Sequence, residues 1–114
     1  MLEIETSESD GLTRVRLIGE ADVAGGHKLS PVAIDLAAAR PERLLVDLSQ
    51  LTFLSSLAIG ELAALAGALK RHGGRVALAG ADRNIASALE RVRLHDVLEV
   101  YPTVPAAAAA LADD

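Results

Sequence analysis

Leu44-Leu45-Val46-Asp47-Leu48 is a compact apolar run, and Ser55-Ser56-Leu57-Ala58-Ile59-Gly60 opens a second apolar stretch a few residues beyond it. A short, nearly continuous apolar run of this kind predicts an interior strand, Arg43–Leu48, covered on both faces. Ser49–Ser55 then reads as a connection. From Ser56 to His72, residues Ile59, Leu62, Ala63, Leu65, Ala66 and Leu69 make a broad stripe at helical spacing. Lys70, Arg71 and His72 stand at the end where cations complement the helix dipole, and Gly73-Gly74 supplies a stop. A buried strand feeding an amphipathic helix is the repeating unit of an α/β sheet.

Working outward, the same unit recurs. Downstream, Arg75–Ala79 is another buried strand. Asp82 is placed to cap a helix over Asn84–Arg93 that turns Ile85, Ala88, Leu89 and Val92 inward. Val97–Val100 predicts a short last strand, and Pro102–Asp114, with its alanine run Ala106–Ala110, predicts a C-terminal helix. Upstream, Gly25-Gly26 reads as a break before a helix over His27–Arg40, with Pro31 in its first turn and Pro41 closing it. Leu2–Thr6 and Leu12–Gly19 alternate around the turn cluster Ser7–Gly11 and predict an opening β-hairpin. The expected order is β-β-α-β-α-β-α-β-α. That describes one α/β domain over residues 1–114, a mixed central sheet with helices packed on it.

Composition narrows the function. The 114 residues include 22 alanines and 19 leucines but one Phe, one Tyr and no Trp or Cys, so the core must be aliphatic. Disulfides and thiolate chemistry are excluded. The net charge of −5 and the lack of aromatic platforms argue against nucleic-acid binding. Met1–Glu5 has neither the basic region nor the apolar core of a signal peptide, and Leu51–Leu69 is interrupted by Ser55, Ser56, Gly60 and Glu61. A cytoplasmic protein with no membrane insertion is expected.

Enzyme chemistry finds little support. His27, His72 and His95 show no metal-ligand spacing. Gly80-Ala81-Asp82 lacks the spacing of a phosphate loop, and Ser55-Ser56 does not stand in a nucleophile elbow. Asp22, Asp35 and Asp47 offer carboxylates that nothing in the sequence pairs, and no basic residue adjoins Asp22 or Asp47. No catalytic residue, metal or cofactor is expected. The polar feature out of keeping with its surroundings is Ser55-Ser56, at a loop-to-helix junction. One reading makes Ser55 an N-cap. Another notes that a phosphoryl group would be held by the same unpaired N–H groups and would add close to two negative charges.

Four pieces of the chain resemble the STAS domain family of bacterial anti-sigma-factor antagonists. They are Gly19-Glu20-Ala21-Asp22, Leu45-Val46-Asp47-Leu48-Ser49, Thr52–Gly60, and Leu69–Gly80. The family has Asp-Ser-Ser/Thr-Gly where this chain has Ser55, Ser56, Leu57 and Ala58. The resemblance implies a non-enzymatic regulator that binds an anti-sigma factor of the serine-kinase type and is switched by phosphorylation. It implies Ser56 as phosphoacceptor and Asp22, Ser55, Ser56, Leu57 and Gly60 as partner-binding residues. A second expectation is a STAS subunit of a larger assembly, such as a signalling complex or a lipid-transport ATPase, that binds constitutively. The partner's identity and the choice between monomer and dimer stay open.

Overall fold

The computed structural model describes residues 1–93 and 98–112. The expected strand residue Val97, the histidine His95 and the last two residues of the expected C-terminal helix lie outside them. Among the described residues, five strands and four helices follow in the expected order: β1 (Leu2–Ser9), β2 (Leu12–Ala21), α1 (Val23–Ala39), β3 (Arg43–Leu54), α2 (Ser56–Arg71), β4 (Arg75–Ala79), α3 (Arg83–Arg91), β5 (Glu99–Tyr101) and α4 (Val104–Ala112). They build one mixed sheet of order β1-β2-β3-β4-β5. β1 and β2 are antiparallel, and every later pairing is parallel.

The hairpin turn is Asp10-Gly11, both with positive φ (53° and 77°). Such a two-residue turn matches the twist of its flanking strands. β3 explains the double burial expected of Leu44–Leu48. Its alternate residues Leu44, Val46 and Leu48 enter the main core with Leu29, Ile59, Leu62, Ile85 and Leu89, from α1, α2 and α3. Leu45 points the other way and meets Ala77, Ala107 and Leu111 beneath α4. Alanines at Ala77, Ala79 and Ala107 let α4 lie close against the sheet.

Several boundaries differ from the expectation: Ser7–Ser9 belong to β1 and not to the turn, β5 reaches Tyr101, and Pro31 lies inside α1 and not in its first turn. Two differences change the reading. Ser49–Leu54 is not a connection but the continuation of β3, which outruns β4 and pairs only with β2, from Ile18 to Ala21. Polar Ser49, Gln50 and Thr52 fit there because the ribbon is exposed on one side, while Leu51 and Leu54 stay buried. Gly25-Gly26 is not a break but part of α1. A Cβ on Gly25 would sit 2.9 Å from the Glu20 carbonyl oxygen, and one on Gly26 would sit 3.0 Å from the Leu57 side chain. The glycines serve close packing, not chain reversal. In α3, Ile85 and Leu89 are buried as expected, but Val92 falls on the C-cap and is exposed.

α4 is fastened by polar contacts. The Arg75 guanidinium donates to both carboxylate oxygens of Glu99 (2.9 and 2.7 Å) and to the Ala110 carbonyl (3.2 Å). The Tyr101 hydroxyl donates to Glu99 at 2.5 Å. Arg75 foremost, with Tyr101, holds the Glu99 carboxyl below its ordinary value, and the same bond raises the Tyr101 hydroxyl. A depressed carboxylate stabilises the fold above its unfolded value and loses that contribution as pH falls through the folded one. Wild-type melting temperature should therefore drop as pH falls below the ordinary glutamate value of 4.5. Glu99→Gln should be less stable at neutral pH yet show a shallower acid decline, measured by thermal melts across that range.

Candidate functional site

Parallel strands deliver their following helices to one end of the sheet. α1, α2 and α3 start at the carboxyl ends of β2, β3 and β4, and each start is capped the same way. The Gly25 N–H donates to Asp22 Oδ1 (2.8 Å), the Ala58 N–H to Ser55 Oγ (3.2 Å) and the Ile85 N–H to Asp82 Oδ1 (2.8 Å). Such caps contribute about 0.5–2 kcal/mol each. Asp22 and Asp82 are caps with a carboxylate, whereas Ser55 is uncharged, and the first turn of α2 holds no acidic residue.

Two of these starts are tied together. The Ser55 N–H donates to the Ala21 carbonyl at 2.8 Å, so the end of β3 adjoins the end of β2. Thr52 reinforces the ribbon through a 3.0 Å bond from its hydroxyl to the Gly19 carbonyl. Leu57 then packs on Gly26 of α1. Asp22, Ser55 and Leu57 are thus brought together by β2, β3 and the α1–α2 contact.

Ser56 is the first residue of α2 and is exposed. Its neighbour's hydroxyl is occupied with capping, whereas Ser56 caps nothing among the described residues. The N–H groups of a helix's first turn lack intrahelical partners. The Ala58 N–H is taken by Ser55 and the Ile59 N–H by the Ser55 carbonyl. Those of Ser56 and Leu57 have no partner among the described residues, leaving them to solvent or an anion. Gly60 lies one turn further on the same side, exposed, and a Cβ there would meet nothing within 4 Å. Gly60→Ala should therefore raise the unfolding free energy by about 0.5–1 kcal/mol, the usual penalty of glycine inside a helix. A denaturant titration with an unchanged slope checks it.

Near Ser56 in the chain and at the start of α1 stand exposed apolar side chains, of which the sequence singled out Leu57 but not Phe53 or Val23. Phe53 is 50% exposed, Leu57 37% and Val23, at the start of α1, 60%. An aromatic left half in water beside a capped helix start is a feature of docking surfaces. The signal for Phe53 was available: the chain's one phenylalanine stands two residues before the serine pair, in a polar-alternating segment.

Asp47 is a different matter. It is 6% exposed and does have a basic neighbour, Arg16, across the β2–β3 ladder, against the expectation drawn from the linear sequence. Arg16 Nε donates to Asp47 Oδ2 at 3.2 Å, the Ser49 N–H donates to Oδ1 at 2.9 Å, and Arg16 also approaches Glu5 at 3.7 Å. Burial alone would raise the Asp47 carboxyl; the bonds from Ser49 and Arg16 outweigh it and hold it below the usual range. Glu5, Arg16 and Asp47 line a hollow of about 510 Å³ on the α4 side of the sheet, with Leu45. A carboxylate so engaged is structural. Among the described residues no group of three or more His, Cys, Asp or Glu could hold a metal, and no helix is long and apolar enough to cross a membrane.

The family model of the STAS domain matches residues 3–107. The anti-sigma-F factor antagonist RsfA of Mycobacterium tuberculosis is 32% identical over 111 residues, covering 96% of this chain and 87% of RsfA. Among solved structures, an anti-sigma factor antagonist from Mycobacterium paratuberculosis gives a TM-score of 0.90 at 25% identity, covering 99% of this chain and 96% of that one. The STAS domain of a SulP transporter from Vibrio cholerae shares the fold, with a TM-score of 0.72 at 19% identity over 94% of this chain and 86% of that one.

Proposed function

Since this chain belongs to the STAS domain family, we propose that it is an anti-sigma-factor antagonist, a single-domain cytoplasmic regulator rather than an enzyme. It docks on an anti-sigma factor of the serine-kinase type through the start of α2, and phosphorylation of Ser56 by that partner releases it. The observation that carries the reading is the exposed Ser56 at the first position of α2, three residues after half-exposed Phe53 and next to part-exposed Leu57. Similarity to RsfA over nearly the whole chain supports the choice of partner class. Asp22, Ser55 and Gly60 complete the docking face, the first two by fixing the helix starts and the last by leaving it flat.

The physics of the switch is local. The unmodified face offers apolar surface and two free N–H groups. A phosphate on Ser56 brings about 1.5–2 negative charges into that surface, where a docked partner would have to strip their water. The fold itself tolerates the charge, because a helix N-terminus favours anions. Incubation of the full chain with magnesium ATP and a serine-kinase anti-sigma factor from the same organism should add one phosphate by intact mass, and none to Ser56→Ala. An unmodified wild-type chain that nonetheless stays bound would turn the reading to a constitutive partner.

A further inference from the structure

We propose that the groove between the edge strand β1 and the C-terminal half of α1 is a second docking site, built for an extended protein segment that alternates basic and apolar residues. It lies beside the start of β3, whereas Ser56 follows the end of β3, so it is independent of the switch proposed above.

The groove has a volume of about 790 Å³. Its floor includes Ile4, Val32 and Leu36, and its rim carries Glu8, Asp35 and Glu42. Val32, Asp35 and Leu36 share one side of α1 by helical spacing, and Ile4 and Glu8 share one face of β1 by strand alternation. No Lys, Arg or His lines it. None of the three carboxylates takes part in an ion pair among the described residues. An apolar floor thus lies under three uncompensated negative charges.

The backbone beside it is open as well. β1 is at the edge of the sheet. The two-residue turn makes Ser9 and Leu12 the first hydrogen-bonded pair, and such pairs alternate along an antiparallel ladder. Glu8, Thr6 and Ile4 therefore direct their N–H and C=O groups away from β2. Leu2 confirms the phase: its carbonyl accepts a 2.6 Å bond from the Lys28 ammonium on α1. A segment laid along β1 would bond to these groups and drop every second side chain into the groove, which is recognition by strand addition.

Charge selects the occupant. A second copy of this chain pairing through β1 would lay one acidic edge, with Glu3, Glu5 and Glu8, along another, and like charges brought together across a ladder destabilise it. A segment with lysine or arginine at the rim and valine or leucine over the floor is complementary.

The test titrates the full isotope-labelled chain with a short capped peptide alternating Lys and Val, with a Glu/Val counterpart, and with a Lys/Val peptide N-methylated at alternate amides. Saturable amide shifts should be confined to β1 and residues 32–42. Asp35→Lys with Glu42→Lys, both at exposed positions, should weaken binding at least about tenfold, as should N-methylation, while the acidic peptide leaves the spectrum unchanged. The spectrum of the double variant shows at once whether it is folded. Equal binding by the acidic or N-methylated peptide, or shifts centred on Ser56, would overturn the proposal. So would self-association through β1 that the basic peptide fails to displace.

Discussion

Ser56→Asp is expected to weaken binding to the anti-sigma factor by at least about a hundredfold, which corresponds to about 2.7 kcal/mol. The substitution sets a carboxylate at the start of α2, next to part-exposed Leu57, where docking would remove water from it without supplying a partner charge. Melting should be unchanged or slightly raised, since an anion in the first turn of a helix contributes about 0.3–1 kcal/mol. Ser56→Ala should bind as the wild type does and should stay bound in the presence of ATP. The pair separates a lost docking face from a lost fold, because both variants melt normally and only one lets go. Calorimetry or surface plasmon resonance reads the affinities. A Ser56→Asp chain that binds as tightly as the wild type would remove the switch.

Leu48→Ala should cost about 3–5 kcal/mol of unfolding free energy. Leu48 is fully buried, and the core around it contains no aromatic ring: Phe53 is half exposed and Tyr101 belongs to the α4 side. Leucines supply the volume while alanines such as Ala58 and Ala66 set close approach between elements. Alanine side chains have no rotamers with which to fill a void, so the loss should lie in the upper part of the range seen for such truncations. A domain of ordinary stability holds about 5–15 kcal/mol, so the variant should melt roughly 15–25 °C lower. Leu57→Ala, at a position partly in water, should cost far less. A Leu48→Ala variant losing under about 1 kcal/mol would show that the leucine layer is not what holds the sheet to its helices.

The element order was legible because it is written in local periodicity. Arg43–Leu48 is apolar on both faces and α2 carries an unbroken stripe, so each could be read without its neighbours. What escaped the sequence depends on neighbours. Ser49–Leu54 looked like a connection because its polar residues fit an unpaired loop as well as they fit a ribbon with one bare side; only β2 decides. Gly25-Gly26 looked like a stop because glycine's freedom is visible in sequence, while the approach of Leu57 and the Glu20 carbonyl is not. The Arg16–Asp47 pair spans β2 and β3, and register alone creates it. At the candidate site, the caps at Ser55 and Asp82 followed from residue type and position. That Asp22 caps α1 was hidden by the misplaced start of that helix, and the exposure of Phe53 by the missed extension of β3.

The uncharged cap at Ser55 has a consequence for how long a signal would last. With no carboxylate in the cap or the first turn of α2, that helix start does not oppose a phosphoryl group on Ser56. The modified molecule would be at least as sturdy as the unmodified one, with no exposed weakness for a protease to find. Under the proposed switch, resetting would then fall entirely to a hydrolase able to reach that helix start. The inactive pool would act as a memory of past kinase activity, erased at the rate that this second enzyme sets.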